Sequence, residues 1–380
     1  MKKIKSFLSS MKKNYVVLIL STLLVVLTAY IGVATFTNTP HTPKIWVWSS
    51  GQALPPGGYW AFAASSDGMR VAAVNKYLQQ DDFIYYSIDG GKNWGPIEEH
   101  YLLGYATKWI GQKNAGKRQW RDITSSYDGM KLAATTASSS LGYIYTSNDA
   151  GETWTEQVGA GAGIWSAITS SSDGMKLAAG GQDLTGLYIF TSTDGGVTWV
   201  KRTVEGISSV QQIASSADGM RIVVTGQGDY IHTSIDGGAT WVERTGAGKG
   251  DWGGLTSSSD GLKLAAADQG GYVYTSIDGG ATWVKRTSLG MGSWTGITSS
   301  ADGMMLAVVD GNKHIYASVD GGEVWTEQLN AGYKEWSGIT SSKDGTKLIT
   351  ADHYSGSVQV GELRDLPVYS PSQPRREDDR

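Results

Sequence analysis

Between residues 44 and 366 one phrase recurs. Residues 294–328, WTGITSSADGMMLAVVDGNKHIYASVDGGEVWTEQ, align with their neighbours on both sides. A first signature, close to SSxDGMKLAA, places its aspartate at 67, 128, 173, 218, 260, 302 and 344. A second, SxDGGxTW, places its aspartate at 89, 149, 194, 236, 278 and 320. Successive first signatures lie 61, 45, 45, 42, 42 and 42 residues apart, so about 16 residues are inserted between the first two repeats. A unit this short cannot bury an apolar face alone and must stack on its copies. When the unit is made of short strands and Gly-rich turns, the stack closes into a propeller. The 51 glycines are about twice the ordinary share of ~7%, and 15 tryptophans beside five phenylalanines place the indoles in the repeated phrase.

Each repeat reads as four strands; in the sixth they are predicted over 294–299, 305–309, 314–318 and 324–328. All are partly β-branched or aromatic and are bounded by Gly, Asp or Asn. Seven first signatures meet only six second signatures, because the last repeat passes through residues 357–361 with no hairpin after it. The missing strand has a counterpart near the other end: Lys44-Ile45-Trp46-Val47-Trp48 resembles the fourth strand as it stands in Thr282-Trp283-Val284-Lys285. Pairing it with the C-terminal strand would close the ring and remove exposed edges. The expected fold is all-β, a seven-bladed propeller over 44–366.

In SIDGGATW (residues 276–283) the Asp side chain can accept hydrogen bonds from N–H groups of its own turn. The glycines supply the positive φ such hairpins need, and the Trp ring packs on the neighbouring turn or blade. Asn148-Asp149-Ala150 lacks the Gly-Gly pair. This phrase resembles the Asp-box, or bacterial neuraminidase repeat. That repeat occurs in sialidases and other glycoside hydrolases, in sortilin-type receptors and in photosystem II assembly factors of the Ycf48 type. The resemblance implies a structural hairpin on the face remote from any active site. It assigns structural roles to Asp89, Asp149, Asp194, Asp236, Asp278 and Asp320 and to Trp94, Trp154, Trp199, Trp241, Trp283 and Trp325.

The sialidase branch implies three arginines converging on one carboxylate, a Tyr–Glu nucleophile pair and an Asp acid/base. Here Arg202, Arg244 and Arg286 share one fourth-strand slot, and Arg70 and Arg221 replace the first-signature Lys. Arg118 and Arg121 alone stand beside the insertion. Paired acids occur at Asp81-Asp82 and Glu98-Glu99, and Asp229, Asp268, Asp310 and Asp352 recur near one turn of successive blades. Turn chemistry accounts for the latter first. With no cysteine and five scattered histidines, thiol catalysis, thiolate zinc and iron–sulfur clusters are excluded, and no metal or cofactor is expected. The expectation is a non-enzyme.

Recognition is expected on the face opposite the hairpins, where the variable loops lie. The insertion carries Lys108, Trp109, Lys113, Lys117 and Arg118, a basic aromatic loop suited to docking a protein partner. Trp60, Trp120, Trp165, Trp252, Trp294 and Trp336 open the first strand in six blades, with Val210 in the fourth. They read either as inter-blade packing or as a platform for stacking on a glycan. A protein-binding or assembly scaffold is the leading expectation; a lectin-like propeller or a sialidase-like hydrolase are the alternatives.

Residues 15–36 carry no charge and follow five lysines with no acidic residue. Twenty-two residues suffice for an uncleaved transmembrane signal-anchor helix crossing a ~30 Å hydrocarbon layer. Lysine retention then sets residues 1–14 in the cytoplasm and the propeller outside. The alternative is a secreted chain cleaved near Gly32-Val33-Ala34. Beyond residue 36 the chain has 27 basic and 36 acidic residues, which argues against nucleic acid as a partner. The polar tail, 367–380, is expected to be disordered.

Overall fold

The structure is a computed structural model and describes residues 44–56, 58, 60–76, 83–94, 115–136, 141–312 and 314–365. The segments read as cytoplasmic N-terminus, membrane helix and tail (1–14, 15–36 and 367–380) lie outside them. No helix among the described residues is long and apolar enough to cross a membrane. Residues Ile45–Arg364 form one compact unit; a second, 1–44 with 365–380, is described only at its two ends.

Ile45–Arg364 is an all-β, seven-bladed propeller. In the sixth repeat the strands are Trp294–Ser299, Leu306–Asp310, His314–Ser318 and Thr326–Glu327, antiparallel and in chain order. The outermost strand, Thr326–Glu327, is shorter than the predicted 324–328. Blade 1 has three strands among the described residues, Trp60–Ala64, Val71–Asn75 and Tyr85–Ser87. Blade 5 takes a short extra strand, Gln227–Asp229, from blade 4. In blade 7 the strands Trp336–Ser341, Lys347–Asp352 and Val358–Asp365 are joined by Lys44–Ser50 as the outermost. The ring is thus closed by non-covalent pairing of the two ends of the propeller sequence.

The core is a set of layers between blades rather than one centre. One layer sets Ala167, Ala178 and Ile189 of blade 3 against Val210, Ile213 and Val224 of blade 4. Another sets Ala265, Ala267 and Val273 of blade 5 against Trp294, Ile297 and Leu306 of blade 6. Strands buried on both faces read as near-continuous apolar runs, which is why LAA recurs in blades 2, 3 and 5 and LAVV stands in its place in blade 6, without alternation.

The first signature binds neighbouring blades together. Its variable residue donates its N–H to the same residue's carbonyl in the next blade: Ser66 to Tyr127, Tyr127 to Ser172, Ser172 to Ala217, Ala217 to Ser259, Ser259 to Ala301, Ala301 to Lys343, and Lys343 back to Ser66. All seven bonds lie between 2.6 and 2.8 Å. Outside this ring the signature Lys reaches across as well: Nζ of Lys131, Lys176, Lys263 and Lys347 donates to the carbonyls of Asp173, Asp218, Asp302 and Asp67 at 2.7–3.0 Å. Arg70 does the same to Asp128 at 3.1 Å.

Candidate functional site

Antiparallel order sends the first-signature turns and the SxDGGxTW hairpins to one face. The turns between second and third strands and the links between blades go to the other.

On the hairpin face every second-signature carboxylate is engaged inside its own turn. Asp278 accepts from Ser276 Oγ at 2.8 Å, from the Thr282 N–H at 2.9 Å and from Thr282 Oγ1 at 2.6 Å. Asp236 repeats this with Ser234 and Thr240, and Asp194 with Ser192 and Thr198. Asp89, Asp149 and Asp320 accept from Ser87, Ser147 and Ser318 and from N–H groups four residues on. The Thr198 hydroxyl holds Asp194 down at about 2, and the Thr240 hydroxyl does the same for Asp236. Burial alone would raise Asp278, but its bonds outweigh that and bring it also to about 2. The indole N–H of Trp94, Trp154, Trp199, Trp241 and Trp325 donates to a glycine carbonyl three residues back, at 2.7–3.1 Å; Trp283 packs into the layer between blades 4 and 5. Ala150 adopts φ 58°, the only non-glycine at positive φ among the described residues, so it bears the strain that glycine avoids in the other boxes.

The first-strand tryptophans correct one expectation. Trp60, Trp120, Trp165, Trp252, Trp294 and Trp336 are at most 1% exposed and offer no ring face to a sugar. Five of them meet a third-strand aromatic edge-to-face, as Trp294 meets Tyr316 with centroids 6.0 Å apart. Trp165, Trp252 and Trp294 also donate Nε1–H to a carbonyl of the preceding blade at 3.0–3.2 Å. A large ring at fixed register fills the wedge that opens between blades away from the axis.

The recurring acids at the second-strand ends are likewise engaged. Asp229 accepts from the Ser208 N–H, Asp268 from the Asp251 N–H, Asp310 from those of Ser293 and Asn312, and Asp352 from those of Glu335 and Ser355. Asp81, Asp82, Glu98 and Glu99 lie outside the described residues. Among the described residues no three His, Asp or Glu side chains gather in a metal-holding group. The fourth-strand arginines sit on separate outer strands, and Arg364 pairs with Glu362 at 2.6 Å.

Lys108, Trp109 and Lys113 fall outside the described residues; Lys117 and Arg118 are placed, on the opposite face. Lys117 Nζ stands 5.2 Å from the Phe83 ring centre, and the Arg118 guanidinium 4.5 Å from that of Tyr145. Arg118 Nε–H also donates to the Ala115 carbonyl at 2.9 Å. Cation–π contact fixes both side chains at the root of the insertion.

Beside them lies a charged group that repeat reading alone passed over. Lys76 Nζ is 3.9 Å from Asp122 Oδ1, and the side chains are 26% and 15% exposed. Asp122 Oδ2 accepts the Ile168 N–H at 2.9 Å, so the group ties blades 1, 2 and 3. Burial raises the Asp122 carboxyl and lowers the Lys76 ammonium, with Arg121 adding positive charge nearby. The signal was available: Asp122 occupies a slot that is Ala167, Gln212, Gly254, Gly296 and Gly338 in later blades.

No protein-family model matches the chain, and no curated protein matches it in sequence. Solved structures share its fold. The structure of YCF48 bound to D1 peptide superposes with a TM-score of 0.58 at 15% identity, over 82% of this chain and 96% of that one. YCF48 from Cyanidioschyzon merolae gives 0.60 at 13% identity, over 83% and 98%. At such identities the likeness is one of architecture: the chain has the seven-bladed propeller fold of YCF48.

Proposed function

We propose that this chain is a membrane-anchored, non-enzymatic Asp-box propeller that serves outside the cytoplasm as a protein-binding or assembly scaffold. The observation that carries the reading is how the polar side chains are used. The box and turn carboxylates are engaged in holding the fold, whereas Lys117 and Arg118 are held on aromatic rings at the root of a long, basic, Trp-bearing insertion. A rigid ring with one charged, aromatic loop suits recognition of an acidic protein surface: Trp109 would supply the buried anchor and the cations would steer encounter. The likeness to YCF48, one structure of which holds a D1 peptide, supports a protein partner as the ligand class. Residues 15–36 would anchor the propeller, with residues 1–14 in the cytoplasm.

The test is co-purification from the native membrane with full-length bait. Trp109→Ala combined with Lys117→Glu is expected to abolish recovery of the partner while circular dichroism and Tm stay unchanged. Recovery equal to the parent's would refute the assignment of this loop.

A further inference from the structure

We propose that the cleft between blades 3 and 4, on the hairpin face, binds a carboxylate. Neither Lys117 nor Arg118 lines the site, and the proposal goes beyond the scaffold reading above.

In blades 3, 4 and 5 the fourth-strand arginine turns back over the third strand. Nε–H of Arg202, Arg244 and Arg286 donates to Oγ1 of Thr191, Thr233 and Thr275 at 3.4, 2.7 and 2.7 Å. In blade 5 the guanidinium then meets the hairpin of blade 6, where Arg286 Nη1 lies 2.8 Å from Glu323 Oε1 with the arginine side chain only 11% exposed. The protein thus places a carboxylate of its own at the mouth of that cleft. The slot of Glu323 is Ala239 in blade 4 and Ala281 in blade 5, so the next hairpin offers Arg202 and Arg244 no acid.

Space separates those two. Between blades 4 and 5 Arg221 and Thr233 line a cavity of only about 10 Å³, and Arg244 is not among its walls. Between blades 3 and 4 the equivalent residue is Lys176, whose ammonium is engaged with the Asp218 carbonyl at 2.8 Å. The cavity there is about 190 Å³, lined among others by Arg202, Thr191, Thr198, Ser215 and Ile222. Asp236 also lines it, with its carboxylate engaged by Ser234 and Thr240. The volume admits a carboxylate on a short methylene stem. With Nε–H of Arg202 turned to Thr191, the half-buried guanidinium keeps its Nη1/Nη2 edge for the cleft, the planar fork that a carboxylate meets in bidentate fashion. The ligand is therefore either an acidic side chain of a protein or a small free carboxylate.

Full-length protein is titrated at low salt with a fluorescein-labelled octaglutamate peptide, read by anisotropy and stoichiometry. One saturable Arg202-dependent site is expected. Arg202→Gln should weaken it at least tenfold, and Ala239→Glu, which installs the acid of blade 6, should do the same without lowering Tm. The cleft between blades 5 and 6 already has a cavity of about 160 Å³ beside Arg286 and Glu323, so Glu323→Ala should free Arg286 there and raise the stoichiometry toward two. Any peptide binding that survives Arg202→Gln and Ala239→Glu but is lost in Lys117→Glu belongs to the insertion loop, so that failure of the insertion-loop reading and failure of this one are told apart. Displacement of the peptide by glutarate assigns a small carboxylate; retention of Arg202-dependent peptide binding in excess glutarate assigns an acidic chain. Peptide and glutarate binding that is indifferent to both Arg202→Gln and Ala239→Glu overturns the proposal.

Discussion

Replacing Trp294 with alanine tests the packing argument where it differs most from the carbohydrate alternative. The ring is 1% exposed, meets Tyr316 edge-to-face, and donates Nε1–H to the Gly271 carbonyl of the preceding blade at 3.0 Å. A buried indole removes roughly 200 Å² from water, which at ~25 cal/mol per Å² is about 5 kcal/mol as an upper figure. Alanine returns only a little of that area, and a carbonyl is left without its donor. The expected loss is about 4–5 kcal/mol, at the high end of the ~3–5 kcal/mol seen for Trp→Ala in cores. Against a total of ~5–15 kcal/mol this is a large fraction. Trp294→Phe separates the parts: it keeps the contact with Tyr316 and loses the inter-blade donor, for about 2 kcal/mol. Urea unfolding followed by circular dichroism measures both. A loss below about 1 kcal/mol for Trp294→Ala, or a Phe variant as damaged as the Ala variant, would refute the account of this ring as a buried, donor-engaged wedge.

Acid should unfold the propeller through its hairpins. Asp194, Asp236 and Asp278 titrate near 2 in the folded chain, below the ordinary 3.8. Their contribution is therefore complete above about pH 4 and is lost as the pH falls toward 2. Tm measured from pH 5 to pH 2 should fall through that window, and less steeply when the three are replaced by asparagine; a flat Tm contradicts the assignment. Ala150→Gly should stabilise the fold by about 0.5–1 kcal/mol, because glycine relieves a φ of 58° at some cost in unfolded-chain entropy. A destabilised variant in urea would show that this turn is not strained.

The propeller was legible in the sequence because each blade repeats one local solution. Ser two residues before Asp and the residue four after it are bonded within one hairpin, as Asp278 with Ser276 and Thr282 shows, and in blade 4 the indole of Trp241 donates to Gly238 of its own turn. The partner of the C-terminal strand was legible too, since Lys44–Ser50 carries the fourth-strand pattern out of place and the seven-bladed count leaves it one position. What a repeated residue faces was not legible from the repeat. A Trp at the start of the first strand has one spacing whether its ring points into a wedge or a channel mouth, and only stacking of the blades decided for the wedge. The same holds for charge. Lys76 and Asp122 are 46 residues apart in different blades, and Arg286 and Glu323 are 37 apart; their distances are set by how the sheets lean on one another. Local hydrogen bonding is written residue by residue in this chain, whereas the charges that meet between blades are determined by closure of the ring.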